Sequence, residues 1–129
     1  MSRYACECCG VDGVTEIAKE ALKDLERVVG TLAITSAFRC KEHNDKLIEE
    51  WSQERRDFMR QNPGKKFTNP QPAQNSKHTL GLAFDILCKS DDSRVRLLKT
   101  ALECGFMGFG MGSNFVHIDI REKFAMWHY

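Results

Sequence analysis

An aspartate in the middle of an apolar run constrains this chain more than any other feature. The run is Leu82-Ala83-Phe84-Asp85-Ile86-Leu87-Cys88, short and bounded by Gly81 on one side and Lys89-Ser90 on the other, which predicts a central strand. A carboxylate among such neighbours is costly unless it is paired or bound to a cation. A second run, Phe115-Val116-His117-Ile118-Asp119-Ile120, has the same character. Side chains alternate across a pleated strand, so Val116, Ile118 and Ile120 form a natural core face while Phe115, His117 and Asp119 share the other. The same alternation puts Phe84 and Ile86 on one face and Asp85, with Ala83, on the other. Two polar-bearing strand faces can therefore meet at one site.

His78 lies just ahead of the first strand, in Ser76-Lys77-His78-Thr79-Leu80-Gly81, and Gly81 permits a tight bend between them. Two imidazoles and a carboxylate are a zinc ligand set, and catalytic zinc keeps three protein ligands with a fourth position open to water. His78, Asp85 and His117 are thus candidate zinc ligands. Spacing alone leaves open that each is a structural or surface group.

The rest of the chain predicts an α+β domain. Its 129 residues are the size of one domain, 1–129, and bury a core without needing a metal or disulfides merely to fold. A formal net charge of +1 supplies no field for nucleic acid. No apolar run approaches the roughly 20 residues of a membrane helix, so no membrane insertion is expected. Residues 14 to 29 predict a helix with Val14, Ile17, Ala21, Leu25 and Val28 facing inward, begun by Asp12 or Thr15 and ended by Gly30. Leu32 to Thr35 reads as a short buried strand. Residues 42 to 60 predict a charged, exposed helix with Leu47, Trp51, Phe58 and Met59 as scattered apolar positions. Residues 62 to 75 hold all three prolines and predict a mobile loop. A further amphipathic helix is expected over 91 to 104 through Val95, Leu98, Ala101 and Leu102, followed by a glycine-rich turn at Gly108, Gly110 and Gly112. The aromatic tail from Phe124 to Tyr129 follows the last strand. Trp127 is expected in the core, with Tyr129 and His128 open between core and site wall. Helices and strands mix without a βαβ rhythm.

Several segments carry a resemblance. Ser76-Lys77-His78-Thr79-Leu80-Gly81-Leu82-Ala83-Phe84-Asp85 resembles the Ser-x-His-x-x-Gly-x-Ala-x-Asp motif of the zinc D-alanyl-D-alanine carboxypeptidase family, and Phe115-Val116-His117-Ile118-Asp119 resembles its second zinc-ligand strand. Ile34-Thr35-Ser36-Ala37-Phe38-Arg39-Cys40 is similar to its Ser-Gly-Tyr-Arg segment. Tyr4-Ala5-Cys6-Glu7-Cys8-Cys9-Gly10 is similar to the Phe-x-Cys-x-Cys-Gly start of its phage-type and small bacterial members. The segments span nearly the whole chain in the expected order; the first is specific and the others moderately so. The resemblance implies the fold shared by hedgehog signalling domains and DD-peptidases, a small, mainly antiparallel sheet flanked by helices. It implies a zinc peptidase that cleaves peptidoglycan stem peptides, as a D,D-carboxypeptidase or endopeptidase. It also implies His78, Asp85 and His117 as ligands and Arg39 beside the substrate, where a guanidinium fork suits a carboxylate or a scissile carbonyl. Ser36 either orients Arg39 to bind substrate or is a turn residue.

One departure bears on catalysis. Relatives carry a carboxylate three residues before the last histidine ligand, or a histidine two before it; here those positions hold Asn114 and Phe115. Asp119 is the candidate general base because it shares a strand face with His117, and a role orienting His117 fits equally. The alternative to an enzyme is a zinc-binding module of the same fold that has lost catalysis. Cys88 and Cys104 read as small core residues. Cys6, Cys8, Cys9 and Cys40 lack the usual paired knuckles of a closed zinc site, so packed thiols are the expectation. The N-terminus has no signal-peptide core. The expected setting is synthesis in the cytoplasm and action on the wall after release, as a phage or prophage endolysin or a host wall-remodelling enzyme. It is expected to act as a monomer, without a separate wall-binding domain.

Overall fold

The computed structural model describes residues 2–129. Eight elements follow in order: α1 (Glu16–Val29), β1 (Ile34–Ser36), α2 (Lys41–Gln61), β2 (Ala83–Leu87), α3 (Asp91–Glu103), β3 (Gly108–Met111), β4 (Phe115–Asp119) and β5 (Ala125–His128). The strands form one sheet in the order β1-β2-β4-β3-β5. All neighbours pair antiparallel except β3 and β5, which run parallel. The α+β, mainly antiparallel expectation holds, with β2 and β4 both interior.

Alternation in β2 and β4 divides the molecule. Phe84, Ile86, Val116 and Ile118 are all buried on one face, where Ala18, Leu22 and Leu25 of α1 and Leu97 and Ala101 of α3 meet them. Phe106 and Phe109 complete this core. Burying a side chain of this size stabilises the fold by about 1.5–3 kcal/mol, so this layer dominates the stability. The opposite face of the sheet carries Asp85, His117 and Asp119.

Caps set the helix ends. The Thr15 side chain accepts from the Ala18 amide at 3.2 Å, and Gly30 ends α1 at φ 89°. Thr15, not Asp12, is thus the cap. Ser90 caps α3, with Asp91 and Asp92 in the first turn where the helix dipole favours them. The expected apolar stripe of α1 holds at Val14, Ala21 and Leu25, which are buried together with Ala18 and Leu22, whereas Ile17 is 69% and Val28 58% exposed. In α3 the buried positions are Leu97, Thr100 and Ala101, while Val95 and Leu102 face out.

The expected glycine-rich turn is a strand, and so is part of the aromatic tail. The glycine-rich segment is β3, and the aromatic tail pairs beside it as β5. The strand expected over Leu32 to Thr35 lies one to two residues later, as β1. Residues 62–75 contain no helix or strand, yet they are fastened along α2. Trp51 Nε1 donates to Asn69 O at 2.8 Å, and the Phe67 ring packs between Trp51 and Phe58 at 5.9 and 5.4 Å.

Candidate metal centre

The sheet register assembles the site. Asp85 of β2 stands directly opposite His117 of β4, Ser36 opposite Asp85, and Gly110 opposite both His117 and Trp127. One row of residues thus crosses all five strands on the face away from the core. His78 comes from the turn before β2, whose tightness depends on Gly81. That glycine has φ 71°, and a Cβ there would drive into the Gly13 carbonyl oxygen.

The three expected ligands converge. His78 Nε2 lies 3.1 Å from Asp85 Oδ1 and 3.2 Å from His117 Nδ1, and His117 Nδ1 lies 3.0 Å from Asp85 Oδ1. A tetrahedral ion about 2.0 Å from each ligand atom holds them about 3.3 Å apart, so the triangle is one face of such a site. The outer ring nitrogens are both engaged. His78 Nδ1–H donates to the Ala37 carbonyl at 2.7 Å, and His117 Nε2–H donates to Asp119 Oδ2 at 2.6 Å. Each bond fixes the tautomer that turns a lone pair inward. Three acceptor atoms then face one another at contact distance, an arrangement that repels itself unless a cation or proton sits among them. The residues fit a zinc ion.

Electrostatics follow from these contacts. Burial opposes ionisation of Asp85, but its contacts with His117 and His78, when a ring carries a second proton, outweigh it and hold the carboxyl well below its usual range. Burial works against a charged His117, while Asp119 and Asp85 push its pKa up. Asp119 is fully buried; its carboxyl is lowered against burial by Arg121 and His117. Arg121 Nε and Nη2 each donate to one Asp119 oxygen at 2.6 Å, and its own pKa is raised by that pair. Both Asp119 oxygens are therefore occupied, on the far side of His117 from the ligand triangle.

The triangle opens on a cavity of about 620 Å³ between the sheet and α2. Arg39, Trp51, Pro72, Trp127 and Tyr129 are among its walls. Arg39 follows the irregular register of β1 against β2, a device that re-aims side chains. Its amide donates to His78 O at 3.2 Å and its Nη1 to Asn44 Oδ1 at 3.0 Å. Asn44, 1% exposed, also donates to Ala73 O at 2.9 Å, tying Arg39 to the proline loop. Ser36 lines a neighbouring, smaller cavity that shares Arg39. No hydrogen bond joins the Ser36 and Arg39 side chains; Asn44 holds the guanidinium instead.

Trp127 belongs to the site wall and not to the core. Its ring lies 5.3 Å from that of His117, and the Arg121 guanidinium lies over it at 5.0 Å. Gly110 makes this possible, since a Cβ there would come within 2.6 Å of Trp127 Nε1. Sequence reasoning missed Arg121, Asn44 and the spacing role of Gly108 and Gly110. The signal for the last was the alternation of glycines at the same two-residue period as His117 and Asp119.

The four cysteines near the start form a second cluster. The sulfurs of Cys6, Cys8, Cys9 and Cys40 all lie within 4.8 Å of one another, a group that could hold a metal, and none is in a disulfide. No helix among the described residues is long and apolar enough to cross a membrane. No protein-family model and no curated protein matches this chain.

Proposed function

We propose that this chain is a zinc-dependent peptidase that hydrolyses peptide bonds in peptidoglycan stem peptides. The observation that carries the reading is the triangle of His78, Asp85 and His117, with both outer ring nitrogens tied down and an open side facing the cavity. Closed structural sites take a fourth protein ligand, whereas catalytic ones leave that position free. The choice of substrate rests on the resemblance of the Ser76 to Asp85 segment to the D-alanyl-D-alanine carboxypeptidases.

When bound, zinc supplies a Lewis acid that polarises a carbonyl and acidifies water to a pKa of about 7. The chain's own groups do the rest. Asp119 keeps His117 in the tautomer that presents Nδ1 and, with both oxygens engaged, is a positioning residue and not the base. Arg39, anchored by Asn44, offers its remaining N–H groups to a substrate carboxylate or a developing oxyanion. Trp127 and Tyr129 shield one side of the cleft. The carboxylates on the cavity wall apart from Asp85 and Asp119 are Glu50 and Glu54 of α2, which makes them the candidates for moving a proton.

A second reading, a zinc-binding wall-peptide module without catalysis, is favoured by Asn114 and Phe115 at the expected acid and base positions. Mass spectrometry of purified peptidoglycan after digestion decides between them. New stem-peptide products that vanish with chelator and with His78→Ala are expected. A complete absence of products, with stem peptides still retained by the zinc-loaded protein, overturns the enzyme in favour of the module.

A further inference from the structure

We propose that Cys6, Cys8, Cys9 and Cys40 bind a second, structural zinc ion that clamps the amino-terminal segment onto the start of α2.

The sulfur geometry lies between two chemistries. Cys6 and Cys8 sulfurs are 3.7 Å apart, and those of Cys8 and Cys40 are 3.1 Å apart. A disulfide needs about 2.05 Å, while four thiolates about 2.3 Å from a tetrahedral zinc lie about 3.8 Å from each other. A disulfide also uses only two sulfurs and leaves the other pair unexplained. Four sulfurs within 4.8 Å suit an ion that takes them all.

Local structure is arranged to deliver them. The Cys6 amide donates to Val11 O at 2.9 Å and the Gly10 amide to Cys6 O at 2.8 Å. These bonds fold residues 6–11 into a tight loop that presents Cys6, Cys8 and Cys9 to one point. Cys40 arrives from the other side as the N-cap of the 21-residue α2, its sulfur accepting from the His43 amide at 3.3 Å. A neutral thiol is a weak acceptor and is not among the favoured caps. A thiolate there is a good one, because its charge lies at the positive end of the helix dipole.

Cys6 is completely buried, yet donors point at its sulfur: the Cys40 amide at 3.4 Å and, when protonated, His43 Nδ1 at 3.5 Å. Backbone N–H groups directed at sulfur hold a thiolate. A buried anion requires a countercharge, and among the described residues no lysine or arginine hydrogen-bonds to these sulfurs. A divalent cation provides that charge. Four thiolates select zinc over harder ions.

The consequence reaches the cavity. Cys40 follows Arg39 directly, and the Phe38 amide donates to Tyr4 O at 3.2 Å. Clamping residues 4–10 to Cys40 therefore fixes the turn from which Arg39 projects.

Cobalt substitution of the reduced full-length protein tests this. Thiolate ligands give an intense sulfur-to-cobalt charge-transfer band in the near ultraviolet, which a histidine and carboxylate site lacks. The band is expected in the wild type and in His117→Ala, is expected to weaken in Cys8→Ser, which leaves three thiolates, and is expected to be lost when Cys40→Ser is added to it. Cys8 is exposed, so its substitution opens no hole in the core. Elemental analysis is expected to find two zinc ions per chain in the wild type and one each in that double variant and in His117→Ala. Absence of the band from wild type, iron in place of zinc, or a native mass short of two hydrogens that reductant restores overturns the proposal. Failure of the histidine centre alone leaves the band and one ion, so the two sites fail separately.

Discussion

Asp119 accepts a 2.6 Å hydrogen bond from His117 Nε2 and so decides that Nδ1 is the nitrogen that meets Asp85. The ligand triangle depends on a carboxylate that never touches it. Arg121 secures that carboxylate in turn, with one donor on each oxygen.

Asp119→Asn tests the relationship. The amide retains the shape but weakens the hold on the tautomer, and losses of this kind lower metal affinity by about 10–100-fold. Competition with a chromophoric chelator measures it. Zinc affinity equal to wild type would show that His117 needs no such partner.

Gly108 lies opposite Asp119 in the β3–β4 register, and a Cβ at that position meets Asp119 Oδ1 and Arg121 Nε. Gly108→Ala must push that pair aside within a packed sheet. Overpacking of this sort costs about 1–3 kcal/mol, and here zinc affinity falls with stability. Urea unfolding with and without zinc reads both effects. A variant as stable as wild type would mean that the carboxylate has room to move.

Leu22→Ala and Ile17→Ser separate the true helix face from the one read off the periodicity. Leu22 is fully buried and its truncation is expected to cost about 2–5 kcal/mol. Ile17 is 69% exposed, and its replacement is expected to stay within about 0.5 kcal/mol of wild type. Thermal melts of the two variants check the order, and a reversed order would rotate α1 by a quarter turn or more.

Arg3 and Glu26 tie the N-terminal segment to α1, with Arg3 Nη1 and Nη2 on the two Glu26 oxygens at 2.9 and 3.1 Å. Burial opposes the Glu26 charge, but Arg3 and the Leu32 amide lower its pKa from 4.5. A depressed carboxyl contributes stability that is complete above its unfolded pKa and is lost as pH falls through the folded value. Wild type is therefore expected to lose more stability than Glu26→Gln on acidification from pH 6 to below about 4. At neutral pH the substitution is expected to cost about 1 kcal/mol, a modest figure because Arg3 is partly in solvent. Parallel pH slopes for the two proteins would remove Glu26 as the source.

The amino-acid sequence by itself determined the local periods and the residues of the candidate site. A two-residue alternation around Asp85 and His117 separated core face from ligand face before any fold was known, because a strand has only two sides. Gly30 marked the end of α1 and the start was narrowed to Asp12 or Thr15 because the capping chemistry is local. Tertiary structure decided what depends on neighbours distant in sequence. Gly108 and Gly110 read as a turn, yet they form a strand paired between β4 and β5, and Asp119, Arg121 and Trp127 occupy the space their side chains would fill. Trp127 read as core and instead lies tilted beside the His117 ring, since β5 pairs parallel to β3 and reaches the site face through that register. The sequence grouped Cys6, Cys8, Cys9 and Cys40 but favoured packed thiols, and only the fold brings all four sulfurs within 4.8 Å of one another. Spacing along a chain records which groups are present, and only the folded backbone sets which of them stand within a few ångströms of one another.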